Sequence, residues 1–262
     1  MSKWFALVPF VVLVGIGLVA PVAVLATGAT SLGDTVGGAY GIALAGSLKL
    51  SLVTAVLGAV LGTLIAQAVV KSKPGVLRKV VTTASGVLAN FGGVPLAFAF
   101  MATIGNAGIV TKVLGLADTG FSLYNMVGLS VVYLYFLVPL MVLVVLPALD
   151  AVKPQWGEAA ASLGGSRWHY WRHIGAPVLA PPVGAGALLL FCGAFSAYAT
   201  AAALVGGSVP LITLQIADVL SGNVLVGGEG IGAALALDML IIVGVMMIGY
   251  WLLQRRTSRW LR

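Results

Sequence analysis

At 262 residues, 60% hydrophobic and 8% charged, with a mean hydropathy of +1.11, the chain lies well above the roughly 45–50% apolar share of a soluble domain, which excludes an ordinary water-soluble fold. The formal charge of +7 does not indicate nucleic acid, because the basic residues fall in short segments between apolar runs rather than on one soluble face. Cys192 is the single cysteine, so an intramolecular disulfide is excluded.

Six stretches reach the length of about 20 mostly apolar residues that a bilayer-spanning helix needs. They are 4–26, 44–70, 80–104, 124–148, 178–205 and 231–253, and they predict an all-α, polytopic membrane helical bundle forming one transmembrane domain over 1–262. The first carries one lysine ahead of it and no small-residue cleavage site after it, so it is read as a retained helix rather than a signal peptide.

The second stretch carries two small-residue rows at four-residue spacing, Ser47, Ser51, Ala55, Ala59 and Thr54, Gly58, Gly62, Ala66. In lipid, helices associate through close packing, so such rows predict a helix buried in the bundle; the alternative is that Gly and Ala are merely abundant here. The third stretch is interrupted by NFGGVP, residues 90–95. A break of this kind frees backbone groups that lipid cannot satisfy, so it is either a packed kink or a pathway element, with Asn90, Phe91 and Pro95 as the candidate residues.

Sorting the charges between the stretches sets the orientation. Lys3, Lys71, Lys73, Arg78, Lys79, Lys153, Arg167, Arg172, Arg255, Arg256, Arg259 and Arg262 fall on one face, and Asp34, Asp118, Asp218 and Glu229 on the other with Lys49 and Lys112. The positive-inside rule makes the first face cytoplasmic, with both termini on that side.

The longest cytoplasmic loop, 149–177, contains EAAASLGGSRWHYWRHIGAP from Glu158 to Pro177. Ala159, Ala160 and Ala161 favour helix, Gly164 permits a sharp turn or the close approach of another backbone, and Pro177 suits the start of the fifth stretch. Trp168, Tyr170 and Trp171 suit a headgroup-level seat, with Arg167 and Arg172 reaching phosphate or water. His169 and His173 stand four apart and are either a two-histidine metal chelate without a carboxylate or interfacial side chains of a solvated helix. Phosphate-loop, HExxH, CxxC and GxSxG patterns are absent from the chain, so nothing in it marks catalysis, and no metal site is assigned.

Farther on, residues 195–216 read FSAYATAAALVGGSVPLITLQI and contribute Tyr198 and Thr200 as pathway candidates. The last stretch holds one acid, Asp238, which should face the bundle interior or a wet cavity rather than lipid; it is a contact for a cationic substrate, half of a structural pair with a polar partner such as Asn90 or Lys49, or a residue near the external interface where water reaches it.

The loop resembles the EAA cytoplasmic loop of permease subunits in binding-protein-dependent type I ABC importers, whose pattern is EAA, three residues, Gly, nine residues, Ile, any residue, Leu, Pro. Glu158, Ala159, Ala160, Gly164, Ile174 and Pro177 match it, and Ala176 stands where Leu is expected. Residues 195–216 are similar to a stretch of the polyamine and iron(III) branch of these permeases, with Ala201 where that branch has Pro. The resemblance covers about 44–254, the permease core, with 4–26 as an extra first helix.

It implies a non-enzymatic permease subunit in the bacterial cytoplasmic (inner) membrane, in contact with lipid and without nucleic acid. It further implies a second permease subunit, two ATPase subunits that carry ATP and Mg, an extracytoplasmic substrate-binding protein, and no cofactor bound by this chain. Glu158, Ala159, Ala160, Gly164, Ile174 and Pro177 would form the coupling helix that the ATPase grips, and the solute would be a polyamine, iron(III) or a related small species. The rival readings are an ATP-independent secondary transporter or channel, which an inverted repeat would support, and a membrane scaffold, which leaves the Glu158 loop unexplained.

Overall fold

The computed structural model describes residues 8–29, 35, 37–72, 75–115, 120–221 and 229–260, and among them it is helical without strands. Lys3, Asp34, Lys73, Asp118 and Arg262, used above to sort charge, lie outside the described residues. Five helical runs are long and apolar enough to cross a membrane: Gly38–Lys71, Val94–Leu114, Met126–Asp150, Arg167–Ser196 and Gly230–Arg255. The chain divides into two units, one of residues 1–47 with 210–243 and one of 48–209 with 244–262.

In the first unit, α1 (Val8–Val14), a π turn (Gly15–Val19) and α2 (Ala20–Gly28) follow without interruption, and residues 4–7 of the expected first span lie outside the described residues. The start of α3 (Gly38–Lys71) meets α12 (Ile212–Leu220) through a hydrogen bond of 2.8 Å from the Ile212 N–H to Ser47 Oγ. The start of α13 (Glu229–Trp260) lies close against α12, since a Cβ on Gly232 would come 3.1 Å from Val219 Cγ1.

In the second unit, α3 packs on α7 (Met126–Asp150) and α10 (Ala176–Ser196). A Cβ on Gly58 would sit 2.9 Å from Leu190 Cδ2, and one on Gly62 would sit 2.5 Å from Met141 Cβ and 2.9 Å from the Val138 carbonyl oxygen. Gly186 of α10 approaches the same methionine, 2.7 Å from its Sδ. Both small-residue rows are buried along their length, while Leu52, Val53, Val56, Leu57, Val60 and Leu61 point outward, so abundance alone does not account for the rows. Asn125 caps α7 by accepting the Gly128 N–H at 2.8 Å. The bidentate pair Arg78–Asp150 ties the start of α4 (Gly75–Asn90) to the end of α7.

Three spans differ from expectation. The stretch 4–26 is not among the five membrane-length runs, its described apolar helix being the shorter Gly15–Gly28. The stretch 80–104 is two helices, α4 and α5 (Val94–Ile104), and the membrane-length run is Val94–Leu114, which continues through α6 (Ile109–Leu114). The break is enforced by Gly93, in the left-handed region at φ +80°, followed at once by Pro95 in the first turn of α5. The stretch 178–205 instead spans Arg167–Ser196, and α11 (Ala199–Leu204) is a separate short helix after a second break at Ala197–Tyr198.

Candidate functional site

After Asp150 the chain turns into α8 (Pro154–Ser162), which begins with proline in its first turn. Glu158 is the fifth residue of α8, beyond the first turn, where the positive end of the helix no longer acts on it. Its side chain is exposed, and its carbonyl accepts Ser162 Oγ–H at 3.0 Å.

The helix ends in a Schellman turn. The Gly165 N–H reaches the Ala160 carbonyl at 2.8 Å and the Gly164 N–H the Ala161 carbonyl at 2.9 Å, with Gly164 at φ +77°. No atom lies within 4 Å of where a Gly164 Cβ would be, so within this chain the glycine answers to backbone conformation and not to crowding. Leu163 beside it is 89% exposed.

Ser166 opens the next helix by accepting the His169 N–H at 3.2 Å. Helix α9 (Arg167–Tyr170) runs through a π turn (Trp171–Gly175) directly into α10. Pro177 therefore does not start the span as expected but lies ten residues inside a helical run. The π turn makes room for it: the Ala176 N–H reaches back five residues to Trp171, and this wider turn takes up the backbone mismatch that proline brings to a regular helix. A Cβ on Gly175 would lie 2.6 Å from the Trp171 ring, so that ring is folded over the backbone, and Trp168 is the aromatic that faces outward. The His169 and His173 rings stack with centroids 4.1 Å apart, and His173 Nδ1–H donates to the His169 carbonyl at 3.0 Å.

These elements enclose two adjoining grooves of about 530 and 420 Å³, which share Ala160, Leu163, His173 and Ile174. Gly164 lines the first, and Ala159 and Pro177 line the second. Five of the six keyed residues thus meet at one concave surface, and Glu158 is outside its lining. Trp156 and Leu163 also line it and were missed in the sequence. An apolar residue directly before the turn glycine of a short polar loop is the signal that marks Leu163.

The two helix breaks meet each other. The Gly93 N–H donates to Thr200 Oγ1 at 2.9 Å, and Thr200 Oγ1–H donates to the Gly93 carbonyl at 3.3 Å. Tyr133 Oη–H donates to the carbonyl of Ala197 at 3.0 Å. The Gly93 N–H and carbonyl and the Ala197 carbonyl are therefore satisfied by protein. Phe91, Pro95 and Tyr198 stand exposed around this junction and Thr200 is buried inside it. Asn90 turns back on its own helix, donating Nδ2–H to the Gly86 carbonyl at 2.8 Å. Asp238, in the other unit, is half-buried, and its Oδ2 is enclosed without a hydrogen-bond partner among the described residues. No cluster of three or more metal-ligating side chains occurs among the described residues.

No family model matches the chain. Over 147 residues, 56% of its length, the chain is 30% identical to the thiamine transport system permease protein ThiP of Escherichia coli (strain K12), across 26% of that protein. It is 34% identical over 68 residues to the sulfate transport system permease protein CysT of the same organism, covering 26% of this chain and 24% of that one. The matches thus span about a quarter of the length of these curated relatives. A chain of a bacterial alginate ABC transporter, solved in complex with an alginate pentasaccharide-bound periplasmic protein, matches with a TM-score of 0.71 at 17% identity, covering 97% of this chain and 93% of that one. A second structure of a bacterial ABC transporter, involved in the import of alginate, matches at 0.68 and 17%, covering 98% of this chain and 94% of that one. The resemblance to the permease subunits of type I ABC importers is borne out in sequence and in fold.

Proposed function

We propose that this chain is the membrane-spanning permease subunit of a type I ABC importer in the bacterial cytoplasmic membrane, with both termini in the cytoplasm. It forms half of a solute pathway with a second permease subunit, receives solute from an extracytoplasmic binding protein, and is driven by two ATPase subunits that hold ATP and Mg. The observation that carries this reading is the groove between α8 and the α9–α10 run. Ala159, Ala160, Gly164, Ile174 and Pro177 converge there on a rigid helix–turn–helix that continues unbroken into a membrane-length helix. A load applied at the turn is passed toward the span through the helical run Arg167–Ser196, which carries Pro177, Pro181 and Pro182. Leu163 offers the exposed apolar contact.

The solute is small. Residues 195–216 favour a polyamine or iron(III), and the names of the relatives add thiamine and sulfate. Purification of the tagged chain from its native membrane is expected to bring down a soluble ATPase, and uptake by the reconstituted assembly is expected to require ATP. Solute movement that persists without ATP in a preparation free of ATPase would instead establish a secondary transporter or channel.

A further inference from the structure

We propose that Arg78 and Asp150 are positioning residues for coupling: through this pair α4 follows the end of α7, where the coupling loop begins, and carries its movement to the Gly93–Thr200 junction. The inference rests on the importer reading and adds a second route from the loop to the pathway candidates.

Asp150 is the last residue of α7, and three residues, 151–153, separate it from α8. Pro147, one turn before Asp150, withdraws an N–H from the helical ladder, so the last turn of α7 is held less firmly by its own backbone. Arg78, the fourth residue of α4, holds that turn with both arms of its guanidinium: Nη1–H donates to Asp150 Oδ1 at 3.0 Å and Nη2–H donates to Oδ2. A bidentate guanidinium–carboxylate pair fixes orientation as well as distance, which a single bond does not.

The rest of α4 is lightly anchored. It packs along α7, yet Ser85 is its one buried residue, and Val76, Leu77, Val80 and Val87 are exposed. Just beyond its far end, Gly93 is held by Thr200 through two hydrogen bonds. Polar contacts thus fix this segment at two points, one at the coupling loop and one at the junction, with about 18 Å of helix from Arg78 to Asn90 between them. No proline interrupts those residues, whereas α10, the other helix that leads from the loop toward Thr200, carries Pro181 and Pro182 inside it. An exposed ion pair contributes little to stability, so this one can be broken with the assembly intact.

The test uses the complete transporter in lipid nanodiscs with its ATPase subunits bound, Cys192 replaced, and Phe91→Cys as a reporter at the α4 end of the junction, where Phe91 stands exposed. A water-soluble maleimide reads its labelling rate with and without a non-hydrolysable ATP analogue. The nucleotide is expected to change that rate at least about fivefold, the low end of ordinary coupling between distant sites. Arg78→Gln and Asp150→Asn are each expected to remove most of the response with ATPase copurification unchanged, and the exchanged pair Arg78→Asp with Asp150→Arg is expected to restore it. A full response in either single variant, no restoration by the exchange, or no response with the pair intact overturns the proposed route and leaves the importer reading standing. Loss of the assembled complex in the single variants overturns it in favour of a structural tie. A chain with the pair intact that never binds an ATPase removes the importer reading itself.

Discussion

Gly93 and Thr200, 107 positions apart, hold each other by two hydrogen bonds, the Gly93 N–H to Thr200 Oγ1 at 2.9 Å and Thr200 Oγ1–H to the Gly93 carbonyl at 3.3 Å. One hydroxyl thus serves both backbone groups of Gly93, the residue with φ +80° that opens α5. In lipid such groups have no other solvent, which makes this residue pair the condition for two helix breaks at one place. Thr200→Val keeps the shape and leaves the Gly93 N–H unpaired, so the protein should lose about 1–3 kcal/mol. Thr200→Ser should lose far less. Thermal unfolding of the detergent-purified protein measures both, and equal midpoints for Val and Ser would show that the bonds do not matter.

The turn at Gly164 makes a different kind of demand. A Cβ there would touch nothing in this chain, so the cost of replacement is backbone strain of about 1–2 kcal/mol for a residue held in the left-handed region. Gly164→Asn should largely preserve the turn, since Asn tolerates that conformation. Gly164→Leu should both strain the turn and fill the mouth of the groove. ATPase copurification and ATP-dependent uptake are expected to fall in the order Gly, Asn, Leu, while Glu158→Ala, outside the groove lining, stays near wild type. Full coupling in Gly164→Leu would remove the groove from the docking surface.

Much of this was legible in the sequence where one residue type meets one local requirement. The buried rows of α3 followed from small residues at four-residue spacing, and the end of α8 from Gly164 after an alanine run. Of the six residues keyed by the loop spacing, Ala159, Ala160, Gly164, Ile174 and Pro177 line the groove and Glu158 does not. The start of the fifth span was illegible. Proline ordinarily marks a helix beginning, and here the helical run starts ten residues before Pro177, at Arg167, and passes through a π turn directly ahead of it. The closure of the third-span break on Thr200 depends on a contact 107 residues away, which no local pattern contains.

Gly62 and Gly186 face the same methionine with unequal consequences. A Cβ on Gly62 meets Met141 Cβ at 2.5 Å and the Val138 carbonyl oxygen at 2.9 Å, atoms that move only if a helix moves. A Cβ on Gly186 meets Met141 Sδ at 2.7 Å and Cε at 3.0 Å, the flexible end of a side chain that can rotate away. Gly62→Ala should therefore destabilise by about 1–3 kcal/mol through overpacking. Gly186→Ala should be nearly neutral, because a helix propensity gain of about 0.8–1 kcal/mol offsets the repacking. The unfolding midpoints of the two variants decide this, and a larger loss for Gly186→Ala would contradict the packing described around Met141.

The orientation of the chain can be tested at two exposed or partly exposed turns, in a background with Cys192 replaced so that no other thiol reports. Ser72 follows the last residue of α3, beside Lys71, and Gly120 lies in the segment between α6 and α7. The charge sorting puts Ser72 on the basic side and Gly120 on the acidic side, and a bilayer crossed once by Val94–Leu114 separates them. In intact cells, an impermeant thiol reagent should label Gly120→Cys and leave Ser72→Cys unmodified, and opening the cells should expose both. Gly120 has φ +72°, so a cysteine there is strained, and Ser122→Cys, two residues on, serves as the control for a local folding defect. Labelling of Ser72→Cys in intact cells, with Gly120→Cys and Ser122→Cys both protected, would invert the orientation and place the α8 groove on the side where no ATP is present.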